Sequence, residues 1–238
     1  MQNLNKKNFL LIALLIFNAF LFSEEKLNID KYKNVLSEVE SILQENHFKK
    51  NVNIDTKEIK EKYLNSIDSQ KMVFDKEDFD NFSKAEELNK LNQIKFAFEV
   101  FEIFKKKSIK FLELQRQVIT EIDLESQLDT NDFIFKDRED EKRFKNLEEL
   151  SEYHLKEAKS ELISIYLKEK DLKKSKEKLL KRFVNREKSL NRISEDDIFS
   201  MYVNSFTSFY DPHTNYMTPK NQEDFEINMY LSLEGIGA

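Results

Sequence analysis

All the glycines and prolines of this 238-residue chain lie in its last 27 residues: Pro212, Pro219, Gly235 and Gly237. An average chain carries about 7% glycine and about 5% proline, distributed along its length. Both residues interrupt helices, because glycine costs backbone entropy and proline lacks the amide hydrogen. We therefore expect a continuous helical body up to about residue 210, followed by a segment of different character.

Charge and apolar content indicate a folded protein. The chain has 39 basic and 45 acidic side chains, a net charge of −6, and 39% apolar residues that include 21 phenylalanines. The signs are interleaved, with no basic face long enough to indicate nucleic acid as a partner. Since there is no cysteine, a thiolate nucleophile, a thiolate metal site and a disulfide framework are excluded.

The first residues have the pattern of an export signal. Lys6 and Lys7 precede an apolar run over residues 9–22, and Ser23 is a small residue at a suitable cleavage point. As a helix this run would span about 21 Å, less than the ~30 Å hydrocarbon core of a bilayer. We predict a signal peptide over residues 1–23, a transient membrane contact and a periplasmic or other extracytoplasmic location. An uncleaved anchor stays open, because Leu21 is larger than the residue usually found there.

Helical periodicity predicts an elongated all-α domain over residues 24–210. The pattern indicates one long helix over about 87–127, then runs over about 140–168 and 171–191. Possible N-caps are Asp55, Asp75 and Ser194. The first helix carries a stripe expected to face the core, formed by Val35, Leu36, Val39, Ile42 and Leu43.

The helical body offers little material for catalysis. None of the three histidines has the Glu-x-x-His spacing typical of metal sites in helical bundles. We expect His47 to lie at a helix C-terminus and His154 to be a satisfied core histidine. No glycine before Gly235 can form the tight turn of an oxyanion hole. The sequence therefore predicts no catalytic residue, no metal and no cofactor.

The final segment combines turn, cap and loop signals. Asp211, Pro212, His213 and Thr214 form a turn pattern, since aspartate accepts local amide hydrogens and proline presets φ. Thr218 before Pro219 predicts the start of a short helix. An alternating apolar pattern over 230–234 then suits a strand. The last four residues could expose successive amide hydrogens to a carboxylate: Gly235, Ile236, Gly237 and Ala238.

These motifs resemble those of the tail-specific (carboxyl-terminal processing) proteases, at the point where their PDZ domain begins. The resemblance rests on the block from Asp211 to Pro219 and on Ser232-Leu-Glu-Gly-Ile-Gly-Ala238. It extends upstream through shorter matches in the same order: Asn46-His-Phe48, Tyr63-Leu-Asn-Ser-Ile-Asp68, Phe79-Asp-Asn-Phe82, Leu180-Lys-Arg-Phe183 and 196–206. Together they cover nearly everything after the signal.

The resemblance implies the function of an exported serine endopeptidase. Members of this family degrade or trim proteins from nonpolar C-termini, which their PDZ domain binds before a Ser–Lys pair cuts the chain. Gly235–Ala238 would then be the incomplete carboxylate-binding loop, in a connector and partial PDZ domain over 211–238. The catalytic serine and lysine are not matched in this sequence, so we expect a non-catalytic scaffold, gate or recruiter of substrate, inactive alone.

A second class of function stays open at this point. The same helices could belong to a self-sufficient periplasmic interaction or adaptor protein without enzymatic activity. The first interpretation predicts protein substrates, bound through their C-termini by the full-length protein, and allows an adaptor protein as a further partner.

Overall fold

The computed structural model describes residues 27–50, 52–84, 89–123 and 133–234, and these residues form α-helices without any β-strand. The helices are Ile29–Asn46 (α1), Thr56–Ile67 (α2), Lys76–Phe82 (α3), Lys90–Glu121 (α4), Leu147–Glu169 (α5), Leu172–Arg192 (α6), Glu195–Thr207 (α7) and Pro219–Glu234 (α8). The all-α prediction is confirmed.

Short polar side chains begin seven of these helices by accepting a backbone amide hydrogen of the first turn. They are Asn28, Asp55, Asp75, Asn89, Asn146, Asp171 and Ser194. Asp75 with Asp78, and Ser194 with Asp197, form reciprocal capping boxes. The predicted caps at Asp55, Asp75 and Ser194 are therefore confirmed.

Helix α4 is the central element of the fold. Its 32 residues span about 48 Å at 1.5 Å per residue. Its first half packs against α1, α2 and α7, and its second half packs against α5 and α6. The helix is shorter than predicted, because Ile122 has extended backbone angles and buries its side chain. Lys176 of α6 donates to the carbonyl oxygens of Thr120 and Ile122, which satisfies this helix end.

The two halves of α4 lie in cores of different composition. Around the first half, α1, α2 and α7 form what we call the aromatic core, whose buried rings are Tyr32, Tyr63, Phe74, Phe98, Phe101, Phe199 and Tyr202. Around the second half, α5 and α6 form the aliphatic core, whose buried residues are Leu112, Ile119, Ile122, Ala158, Leu162, Ile165, Leu179 and a single ring, Phe183.

The stretch before α5 is not helical, in contrast to the prediction of a helix from about 140. Residues 133–146 run as an irregular segment held by two arginines. Arg143 pairs with the buried carboxylate of Asp68 at 2.6 Å. Arg138 is buried with its guanidinium over the rings of Phe144 and Tyr153. Arg143 thus fixes the segment to the loop after α2, whereas Arg138 fixes it to α5, and Asn146 then begins α5. Residues 124–132, which include the end of the predicted run over 87–127, lie outside the described residues.

The predicted strand over 230–234 is wrong, since helix α8 continues through Glu234. A strand needs a partner for its backbone groups, whereas a helix satisfies them within the segment. Five alternating residues are also too short to exclude a helix that already extends from Pro219. Among the described ranges, no helix is both long and apolar enough to span a bilayer.

Candidate functional site: the connector from Asp211 to Pro219

The connector between α7 and α8 begins with the turn that the sequence predicted. Asp211 Oδ1 accepts the amide hydrogen of His213 at 2.7 Å, and the amide of Thr214 donates to the Asp211 carbonyl at 3.1 Å. Pro212 occupies the second position, where its fixed φ suits the turn. The side chain of His213 is exposed. The turn reverses the chain and brings the next residues back along α7.

One side chain of α7 holds the connector by both of its backbone hydrogen-bonding groups. Asn204 Oδ1 accepts the amide hydrogen of Tyr216 at 2.6 Å, and Asn204 Nδ2 donates to the Tyr216 carbonyl at 3.1 Å. This arrangement imitates the pairing that a neighbouring strand would provide. Ser200 donates to the same carbonyl at 3.3 Å. The Tyr216 ring packs edge-on against Phe199, with 5.6 Å between the ring centroids.

The ring of Tyr216 is partly buried at the edge of the aromatic core. Burial raises the pKa of Tyr216, and the nearby negative charge of Asp196 adds to this effect. The ring is therefore neutral over the physiological range and acts as a packing group. We conclude that it anchors the connector to the aromatic core.

A second attachment joins the turn to the end of α1. Thr207 Oγ1 donates to the Thr214 carbonyl at 2.9 Å, and Thr214 Oγ1 lies 3.4 Å from Nε2 of His47. His47 follows the last helical residue of α1, as predicted, with its ring 4.5 Å from Phe48 and edge-on to Tyr210. The connector is thus fixed to α7 and α1 together.

The connector ends at the start of α8. Thr218 is buried, and its hydroxyl accepts the amide hydrogen of Asn221 at 3.2 Å, which confirms the predicted cap before Pro219. From residue 219 to residue 230 every side chain is exposed. A shallow groove of about 520 Å³ lies between α7 and α8, and Asn204, Asn215 and Phe225 are among its lining residues. The helix therefore begins at a fixed point and presents its surface to solvent.

The carboxylate-binding loop predicted at Gly235, Ile236, Gly237 and Ala238 lies outside the described residues, as does the predicted signal peptide over 1–23. Their functions stay predictions.

A second candidate site surrounds His154 on α5, beside a groove of about 750 Å³. His154 Nε2 donates to the Met72 carbonyl at 2.7 Å, and Gln115 Nε2 lies 3.3 Å from His154 Nδ1. Phe111 stacks on the imidazole at 4.1 Å between ring centroids. The ring is buried and bonded at both nitrogens, so the prediction of a satisfied core histidine is confirmed.

Glu157 lies one helical turn from His154, and both side chains contact Gln115. Burial opposes ionisation of this carboxyl, but the nearby His154 and Arg186 and the hydrogen bond from Gln115 prevail and lower the pKa of Glu157. Its Oε2 lies 3.2 Å from Gln115 Nε2. The two serines that line the groove, Ser108 and Ser189, donate instead to backbone carbonyl oxygens of their own helices, at 2.8 and 3.0 Å. The cluster is arranged to stabilise the helix packing and presents no activated nucleophile.

Sequence reasoning found the turn and the cap but missed the residues of α7 that hold the connector. Asn204 and Thr207 lie on a predicted helix, where polar residues are expected to face solvent. Their polar periodicity, with Ser200 and Asn204 four residues apart, was the one available signal.

The fold and this junction define a helical domain that holds the polypeptide following it at a fixed point. The sequence matches the family described as tail specific protease N-terminal domain over residues 39–220, most of the chain. The chain belongs to this family. The match ends where α8 begins, just after the connector.

A curated relative agrees with this assignment. The protein named tail-specific protease of Haemophilus influenzae is 27% identical over 203 residues, which cover 82% of this chain and 29% of the relative. This chain thus spans less than a third of the relative's length.

Proposed function

We propose that this chain is the non-catalytic N-terminal domain of an exported serine endopeptidase that degrades or trims proteins from their C-termini. The family match over residues 39–220 carries the proposal. In the full-length protein, the helical body would scaffold or gate a PDZ domain and a Ser–Lys protease core, or recruit substrate to them. The short coverage of the relative supports placing that chemistry elsewhere in the protein.

The connector supports a scaffolding role in particular. Asn204 and Thr207 hold the backbone of the connector, so that whatever follows Pro219 is oriented by α7. In this proposal the loop Gly235–Ala238 begins the site for the substrate's terminal carboxylate. A fixed start for that domain places a bound C-terminus at a reproducible distance from the protease core.

Export is part of the same proposal. The apolar run over residues 9–22 directs the chain out of the cytoplasm, and the domain works in the periplasm or an equivalent compartment. The alternative, a self-sufficient helical interaction protein, is not favoured by the family match.

The mass of the native protein tests this proposal. An antibody against residues 31–200 should capture from cells a species several times heavier than this chain, and that species should cleave an unfolded protein with a nonpolar C-terminus. A species of 28.6 kDa or slightly less would contradict the proposal. So would cleavage of the same substrate by the purified chain.

A variant of the full-length protein tests the role of the connector. Asn204→Ala removes both bonds to Tyr216, and we expect cleavage to slow by about tenfold to a hundredfold through misplacement of the following domain. Asn215→Ala is the matched control, since this exposed amide holds only the carbonyl of His213, at 3.5 Å. Equal rates for the two variants would exclude positioning by the connector.

A further inference from the structure

Helix α6 carries most of the unbalanced positive charge of the described structure. Its 21 residues include nine lysines and arginines against two glutamates, although the whole chain has a net charge of −6. Its apolar side, with Leu179 and Phe183, is buried in the aliphatic core. The cations on the opposite side therefore form a basic surface on an otherwise acidic protein.

Part of this charge is already neutralised within the domain. Lys174 and Lys178 pair with Glu169, at 3.3 and 2.5 Å. Arg186 makes two bonds to Glu161, at 2.8 and 3.0 Å. Lys176 donates to two carbonyl oxygens of the α4 end, and Arg182 lies 4.0 Å from Glu161, so five of the nine basic side chains have partners within the domain. These contacts do not explain the cations on the outermost side of the helix.

Four exposed cations form what we call the basic face: Lys173, Lys181, Lys188 and Arg192. None of them makes an ion pair or a side-chain hydrogen bond with another described residue. At 100° per residue they lie within about 100° of one another around α6, and they extend over about 28 Å. Glu177 is the single acidic side chain on the same side. Unpaired like charges kept together cost electrostatic free energy, which an external anionic surface would relieve.

An exposed apolar side chain accompanies these cations. Val184 lies on the same side of α6 and is 41% exposed. Lysine and arginine around exposed aliphatic residues is the pattern of a helix at a lipid headgroup layer. Nucleic acid would instead favour aromatic rings for stacking among the cations, and the one ring of α6, Phe183, is buried.

We propose that the basic face of α6 binds an anionic lipid surface and so holds the domain against a membrane. That the partner is a lipid membrane rests on the proposed export, because the apolar run over 9–22 delivers the chain to a membrane. Anionic headgroups complement a linear set of unpaired cations, since each basic side chain near such a surface adds to the attraction. The face would orient the domain with α6 toward the bilayer and with its acidic remainder away from it.

Vesicle flotation of the purified chain tests this proposal. The comparison is between vesicles of phosphatidylcholine alone and vesicles containing about one third phosphatidylglycerol. The apolar run over 9–22 binds both kinds, so the readout is the ratio of the two partition coefficients. The variant replaces the four cations by glutamine, a good helix former, and circular dichroism checks its fold. We expect the ratio to fall by at least about tenfold, and the wild-type ratio to fall with added salt.

A second variant with the same change in net charge is the control. It replaces four exposed lysines elsewhere by glutamine: Lys33, Lys49, Lys50 and Lys220. A ratio close to that of the wild type supports the proposal, whereas an equal loss in both variants would show a net-charge effect and overturn it. Binding to poly-glutamate without any preference for phosphatidylglycerol would assign the face to an acidic protein and also overturn it. None of these readouts depends on proteolysis or export, so failure here leaves the proposed function untouched.

Discussion

The two cores pack against the same helix, α4, but they are stabilised by different interactions. In the aromatic core, buried hydroxyls require partners: Tyr63 donates to the Ala97 carbonyl at 2.8 Å and Tyr202 to Gln93 Oε1 at 3.2 Å. In the aliphatic core, Leu162 and its neighbours have no polar atoms to satisfy. The aromatic core therefore defines geometry through directional bonds, whereas the aliphatic core stabilises mainly by volume.

This difference matches the position of the connector. Tyr216 packs on Phe199, at the edge of the aromatic core, and Asn204 belongs to the same helix. The core whose buried tyrosine hydroxyls are hydrogen-bonded is thus the core beside the connector. The aliphatic half includes α6, whose packing needs only apolar volume and whose exposed side carries the basic face.

The largest expected effect comes from cutting the link between the two halves. Arg143 lies before α5 and pairs with Asp68 after α2, and both side chains are buried. Arg143→Met leaves that carboxylate without its cation, and we expect a loss of about 3–5 kcal/mol in the free energy of unfolding, measured in urea. Lys145→Met breaks only an exposed pair with Glu149 and should cost at most about 1 kcal/mol. Similar losses for both would refute the buried link.

The next effect distinguishes volume from shape in the aliphatic core. Leu162 is fully buried, so Leu162→Ala should cost about 2–5 kcal/mol in the same assay. Leu162→Met keeps the volume and should cost less than about 1.5 kcal/mol. A methionine variant as unstable as the alanine variant would show that this core also depends on exact shape.

A smaller effect tests the directional bonds of the aromatic core. Tyr63→Phe keeps the ring and removes the bond to Ala97, which should cost about 0.5–1.5 kcal/mol. Tyr166→Phe, at a partly buried ring beside the aliphatic core, is the control and should change the free energy of unfolding little. Urea unfolding of both variants gives the comparison, and a neutral Tyr63→Phe would remove the distinction between the cores.

The smallest effect is a pH dependence of opposite sign in the two halves. The pKa of Glu157 is lowered, because its charge interactions and hydrogen bonds outweigh its burial, so its stabilisation is lost as the pH falls below about 4.3. Burial raises the pKa of Asp78 despite the nearby Lys107. The free energy of unfolding therefore decreases as the pH rises above about 3.9.

Unfolding curves near pH 4 test both signs. Glu157→Gln should flatten the rise of stability with pH, and Asp78→Asn should steepen it. Identical slopes in the two variants would contradict the opposite shifts.

The helices and most of their ends were predictable, because they depend on local signals such as the caps at Asp75 and Ser194. The irregular segment 133–146 was not, since Arg143 pairs with Asp68 after α2 and Arg138 packs on Tyr153 of α5. Ile42 was expected to face the core but is 51% exposed. The apolar stripe of α1 is wider than the part of the helix surface that packs against its neighbours. The division into two cores and the role of Asn204 depend on tertiary contacts, which periodicity does not contain.

The pairing of Asn204 with Tyr216 has a mechanical consequence. Its two hydrogen bonds join the short side chain of Asn204 to the main chain of the connector, so a pull on α8 reaches α7 through that one side chain as well as along the backbone. The load then enters the helix whose Phe199 and Tyr202 are buried in the aromatic core. A force applied to the polypeptide beyond Pro219 would therefore be carried by the aromatic core.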